Sequence, residues 1–195
     1  MAFDASTVIT VQRFPAVMSG ASGSSKDEIA EMADPDGLGG FDFLIGTWKS
    51  RQKRLKSVLS GSDDWEEFEG RQTVQKILGG RANMDEFTLH LPSGPRFGFT
   101  LRLYDPKTRV WSIYGLSSSD PTVMSVPTIG GFKNGRGEFF DYEVFQGRAI
   151  FVRFTWTHSG TESCHWEQAF SIDAGKTWEV NWIADFTRDS SRAAT

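Results

Sequence analysis

A chain of 195 residues has the length of one domain and can bury a sizeable core, and its aromatic share of 13%, with sixteen Phe and seven Trp, suits an all-β protein that lines a cavity. Its 21 basic and 25 acidic residues leave a net charge of −4 with no basic block, which excludes the electrostatic footprint of a nucleic-acid or anionic-membrane binder. A single cysteine, Cys164, excludes an internal disulfide framework; no leader pattern opens the chain and no apolar run approaches membrane-spanning length, so a cytoplasmic location is expected.

Residues 1–40 form an expected N-terminal extension. The β-branched run at 7–11 suits an edge strand or a tail, 19–25 is a Gly/Ser linker, and 26–33 predicts a short helix stopped by Asp34-Pro35-Asp36-Gly37. A helix that short needs packing to persist, which suits a lid or plug over a barrel mouth. Residues 41–190 are the expected barrel. Its opening run, FDFLIGTW at 41–48, buries itself at one end of a sheet, bends at Gly46 and points Trp48 inward. Turn chemistry then recurs at Ser60-Gly61, Gly79-Gly80, Pro92-Ser93-Gly94-Pro95, Asp105-Pro106, Asn134-Gly135, Gln146-Gly147, Ser159-Gly160 and Asp173-Ala174-Gly175. The segments between them predict about nine or ten strands in a single antiparallel up-and-down sheet, closed into a barrel so that no long edge is left open. Residues 117–127 are the least regular and read as a longer loop at one rim.

Residues 171–178, Ser-Ile-Asp-Ala-Gly-Lys-Thr-Trp, match the Asp-box pattern known from sialidase hairpins. One copy without a blade-length repeat makes a braced turn, not a propeller.

Successive strand residues face opposite sides, so alternation predicts the interior. The expected inward sets are Trp178, Val180, Trp182, Ala184 and Phe186; Cys164, Trp166, Gln168 and Phe170; Ile150, Val152, Phe154, Trp156 and His158; Phe140, Tyr142 and Val144; Phe97, Phe99, Leu101 and Leu103; and Phe68, Gly70, Gln72 and Val74. For residues 81–90 two faces stay open. Either Ala82, Met84, Glu86, Thr88 and His90 or Arg81, Asn83, Asp85, Phe87 and Leu89 point inward, and each choice buries a carboxylate.

An interior of Trp and Phe with a few polar groups has the make-up of a small-molecule pocket. The expected ligand-binding residues are Trp48, Gln72, Phe99, Trp111, Tyr142, Trp156, His158, Trp166, Gln168 and Trp182. If the barrel is instead a cofactor-independent enzyme, such as a cyclase, isomerase or lyase, His158 is the proton-transfer candidate, with Tyr142 or Glu86 as partner. His90, His158 and His165 have no metal-ligand spacing, so no metal or cofactor is expected. Cys164 and His165 are adjacent on a strand and point apart, so they do not make a nucleophile and base.

The FDFLIGTW opening, together with WEEFEG at 65–70, LGG at 78–80, WEQAF at 166–170 and NWI at 181–183, resembles the calycin β-barrels. More narrowly it looks like a lipocalin-like family known as a domain of unknown function, distantly similar to nitrobindins and fatty-acid-binding proteins. The resemblance implies the barrel fold and transfers no catalytic residue. The nitrobindin likeness raises haem, which those relatives hold through a histidine in the final strand. Here 179–188 contains no histidine, so haem would have to use His158 or His90. The expected function is binding of a small hydrophobic or aromatic molecule, with the enzyme as alternative and no nucleic-acid or membrane partner. Aromatic sheet faces also suit a homodimer.

Overall fold

The computed structural model describes residues 37–192. The expected edge strand at 7–11, linker at 19–25 and helix at 26–33 lie outside the described residues. Ten antiparallel strands follow a short 3-10 helix, Leu38–Leu44: β1 Gly46–Leu55, β2 Trp65–Ile77, β3 Ala82–Leu91, β4 Gly94–Asp105, β5 Val110–Ser117, β6 Thr128–Lys133, β7 Arg136–Phe145, β8 Arg148–Ser159, β9 Ser163–Ser171 and β10 Glu179–Arg188. Each strand pairs with the next, and β1 pairs with β10 from Trp48↔Arg188 to Arg54↔Trp182, which closes the barrel. The all-β, closed antiparallel barrel expected from the turn spacing is the observed architecture. Among the described residues no helix is long and apolar enough to cross a membrane.

The 3-10 helix stoppers one end. Phe41, Phe43 and Leu44 are buried there against Trp48, Trp111, Phe139, Trp156 and Phe186. A helix this short leaves most of its carbonyls without helical partners. Side chains from the strands bond to carbonyls of the helix and its two flanking residues: Trp48 Nε1 donates to Leu44 O at 2.7 Å, Trp111 Nε1 to Gly37 O at 3.0 Å, and Arg188 to Phe43 O at 3.0 Å and Ile45 O at 2.5 Å. Gly46 has φ 120°, and a Cβ there would strike Arg188 Nη1, so the entry to β1 requires glycine.

Alternation assigns the interior correctly on β2 and β9, on β8 as far as Trp156 and on residues 182–186 of β10, where Phe68, Val74, Val152, Trp156, Phe170, Ala184 and Phe186 are all buried; His158, expected inside at the end of β8, is exposed. On β3 the odd residues point in: Asn83, Asp85, Leu89 and Leu91 are buried, and Glu86 and His90 are exposed. Two strands are inverted relative to expectation. On β4, Arg96, Thr100 and Arg102 line the interior; Phe97 is 49% exposed, and Phe99 lies with it on the outer surface. On β7, Phe139 is fully buried, Asp141 and Glu143 share its face, and Phe140, Tyr142 and Val144 are exposed. A register shift between Val180 and Trp182 also turns Trp178 outward, under Arg153 at 4.4 Å.

The Asp-box braces its own turn. Gly175 N donates to Ser171 Oγ at 2.8 Å, Thr177 N to Asp173 Oδ1 at 2.9 Å and Thr177 Oγ1 to Asp173 Oδ2 at 2.6 Å. The two bonds from Thr177, its side chain's first, and one from Ser171 Oγ at 2.8 Å hold the Asp173 carboxyl down to about 2.

One interval of the wall is thin. β6 pairs with β5 only at Trp111, Ser112 and Ile113, and with β7 no further than Phe140. Residues 114–117 of β5 and 141–145 of β7 therefore face a gap that the loop 118–127 covers.

Candidate functional site

Between the stoppered end and the far rim lies a cavity of about 600 Å³. One wall is aromatic because the registers of β8, β9 and β10 align their inward residues: Trp156↔Trp166, Phe154↔Gln168, Ala184↔Trp166 and Trp182↔Gln168. Trp166 packs edge-on against Phe154 at 5.1 Å and against Trp182 at 5.7 Å. Polar groups are threaded among the rings. Trp182 Nε1 donates to Gln52 Oε1 at 2.9 Å, Gln52 Nε2 to Ser50 Oγ at 2.8 Å, and Gln168 Nε2 to Asn181 Oδ1 at 2.8 Å.

Where the cavity meets the 3-10 helix, Arg102 forms the floor. Its Nη1 donates to Asp85 Oδ2 at 2.5 Å and to Asn83 Oδ1 at 3.1 Å, and its guanidinium lies 5.3 Å from the Phe41 ring and 5.9 Å from that of Trp156. Asn83, Asp85 and Arg102 are each no more than 3% exposed. A buried ion pair recovers its desolvation cost only when its remaining donors and acceptors are also met. Here several are not: Arg102 Nε, Asp85 Oδ1, Gln72 Nε2, Thr128 Oγ1 and Asn181 Nδ2 are buried with no hydrogen-bond partner among the described residues.

At the wall gap, Glu143 reaches the cavity. Burial, and then the Asp141 carboxyl two residues away on the same face, pushes the Glu143 carboxyl up to about 7. Val123, Met124 and Val126 of the covering loop line the same opening while standing largely exposed.

Of the expected ligand-binding residues, Gln72, Trp156, Trp166, Gln168 and Trp182 line this cavity. Trp48 and Trp111 do not; they are locked into the stoppered end by their indole bonds to the 3-10 helix. Phe99 and Tyr142 lie outside the barrel because β4 and β7 present the opposite faces. The proposed proton-transfer set is not assembled. Glu86 and Tyr142 point outward from different strands, and His158 is exposed at the stoppered rim, stacked 4.3 Å from Phe43 with Nδ1 3.2 Å from Gly160 O. Cys164 is buried, which pushes its thiol up to about 12 despite Arg188 and Arg102; His165 faces out, bonded to Asp185 at 2.6 Å and Glu167 at 3.1 Å.

Neither His90 nor His158 lines the cavity, so the barrel offers haem no axial imidazole, and the residues do not fit that group. Among the described residues no cluster of three or more His, Cys, Asp or Glu could hold a metal ion.

Of the floor residues, alternation placed Arg102 on the wrong face and left Asn83 and Asp85 undecided between the two faces of β3. A signal for them lay in the β3–β4 turn: its position fixes the pairs Leu91↔Gly94 and Asn83↔Arg102, which sets an acid beside a base on the inner face.

The fold and cavity define a closed ten-stranded antiparallel β-barrel with a polar-floored, aromatic-walled interior. No family model matches the chain, and no curated protein matches it. Among solved structures, EF1p2_mFAP2b bound to DFHBI is similar at 12% identity and a TM-score of 0.42, over 78% of this chain and 98% of that one.

Proposed function

We propose that this protein binds a small hydrophobic or aromatic molecule inside its barrel. The observation that carries the reading is the cavity itself: about 600 Å³, walled by Phe154, Trp156, Trp166 and Trp182, with buried polar atoms around it that have no partner among the described residues. A core that served only stability would pair or exclude such atoms, since each unmet group costs roughly 1–3 kcal/mol. A ligand with an apolar body and a polar end meets both requirements.

Native mass spectrometry of protein purified from a rich expression host tests this. The expected result is an added mass of a few hundred daltons that leaves on denaturation. An apo mass, together with tryptophan fluorescence that does not respond to a panel of neutral and anionic aromatic compounds, would overturn the reading.

A cofactor-independent enzyme is a second reading, favoured by Glu143 rather than by His158, Tyr142 or Glu86. Glu143 touches the cavity and exchanges its proton near neutral pH, as a general acid or base must. Incubating the recovered ligand with protein in D2O distinguishes the two. Deuterium entering a carbon position, and lost with Glu143→Gln, marks proton transfer; an unlabelled ligand returns the protein to simple binding.

A further inference from the structure

We infer that the cavity takes an anionic ligand, an aromatic or apolar carboxylate whose head group docks on Arg102; this rests on the binding reading above. A guanidinium is a planar fork of five donors. Both hydrogen bonds that Arg102 makes leave from Nη1, to Asp85 and Asn83. Its Nε has no partner among the described residues, although Arg102 is only 3% exposed and lines the cavity. The side of the fork left over runs from Nε to the neighbouring Nη2; Nε is itself shut off from the cavity, so a carboxylate is met first at Nη2 and takes the second, parallel N–H bond as the floor yields to it. The ring contacts with Phe41 and Trp156 and the two Nη1 bonds hold the fork in place, so little ordering remains to be done when a ligand arrives.

The surroundings agree in sign and kind. Gln72 and Thr128 line the same cavity, and Gln72 Nε2 and Thr128 Oγ1, just behind its surface, are also without partners among the described residues, donors for an acceptor-rich head group as it seats. Arg96 is a second guanidinium on the lining. Of the opposing acids, Asp85 is already met by Arg102, Asp120 accepts from Thr122 Oγ1 at 2.7 Å, and Glu143 is held partly protonated at neutral pH by burial and Asp141. A cation would therefore find its unpaired full charge only in Asp120, exposed on the covering loop at the mouth, whereas a carboxylate finds an unspent guanidinium edge at the floor. Trp166 and Trp182 supply the apolar wall for a flat ring system.

Calorimetric titration near neutral pH with 2-naphthoate and with 2-naphthamide, its neutral counterpart of similar shape, tests the inference. The expected result is that naphthoate binds about tenfold or more tightly than the amide. Arg102→Met alone would strand Asp85, so the variant is Arg102→Met with Asp85→Asn, which should bring the two compounds within about threefold of each other. Thr128→Val, a milder change, should weaken naphthoate about fivefold, the worth of one hydrogen bond, and it serves if the double variant fails to fold. Equal or tighter binding of the amide overturns the anion inference and leaves the pocket standing, as does a preference that survives both variants. If neither compound binds, the inference and the pocket reading fall together.

Discussion

Glu143 is desolvated on the inner face of β7 and shares that face with Asp141, and the burial first, then the neighbouring carboxyl, favour its protonated form. In the folded barrel Glu143 keeps its proton up to about pH 7, whereas the free side chain releases it near 4.5. Between those values the folded state binds more protons than the unfolded chain. Stability contributed by this group is therefore present at low pH and is lost as pH rises through the window, levelling off above it. Glu143→Gln keeps the shape and cannot ionise, so it should raise the melting temperature relative to wild type at about pH 8 and leave it nearly unchanged at about pH 5. Thermal melts followed by circular dichroism at both values check this. The same difference at the two pH values would mean that Glu143 does not titrate between them. Neither carboxyl could be placed inside by composition: Phe140, Tyr142 and Val144, the apolar members of the strand, look like the buried ones and are not.

At the scale of elements, the 3-10 helix Leu38–Leu44 is the stopper that separates solvent from the cavity floor. Phe41 is its centre, 1% exposed, with rings of Phe132, Trp111 and Phe139 at 4.9, 5.2 and 5.4 Å and the Arg102 guanidinium against its face. Phe41→Ala removes a fully packed ring and should cost about 3–5 kcal/mol, read as a fall in the urea midpoint at constant slope. A loss under about 1 kcal/mol would show that the barrel end holds without its stopper. This element was legible in the sequence, since an apolar run ending in Gly46-Thr47-Trp48 has to bury itself and then turn into a strand. The turns were legible for a similar reason: Gly, Pro, Asn and Asp declare their backbone geometry locally. Faces were legible only where one side was apolar and the other charged, as on β2 and β9. On β4 the apolar Phe97 and Phe99 face out and Arg102 faces in, because Arg102 is neutralised by Asp85 from the neighbouring strand. Alternation read one strand at a time has no access to that partner. The floor of the site thus stayed hidden while its aromatic wall did not.

At the scale of the molecule, the barrel is closed by hydrogen bonds everywhere except where β6 is too short to bridge β5 and β7. The loop 118–127 covers that interval and is fastened towards each end by a reciprocal pair: Ser118 N donates to Phe97 O at 2.8 Å and Phe97 N to Ser118 Oγ at 3.1 Å, while Ser125 N donates to Gly115 O at 2.8 Å and Gly115 N to Ser125 Oγ at 2.8 Å. Val123, Met124 and Val126 line the cavity mouth from this loop, so the entrance is apolar, as the proposed ligand requires. The opposite end is stoppered, and the rest of the wall is a continuous ladder; passage through either would require breaking packed core or several strand bonds at once. Opening the loop costs far less. Ser125→Ala deletes the bond to Gly115 N while leaving the one from its own backbone, and one hydrogen bond is worth about 1 kcal/mol, or roughly fivefold in the fraction of time the loop is open. A gate changes the rates of entry and exit alike. Stopped-flow tryptophan quenching with 2-naphthoate should therefore show association and dissociation rate constants both rising by roughly fivefold, with their ratio preserved. Unchanged rates would move the entrance away from this gap, and a rise in dissociation alone would make Ser125 part of the binding surface instead of its door.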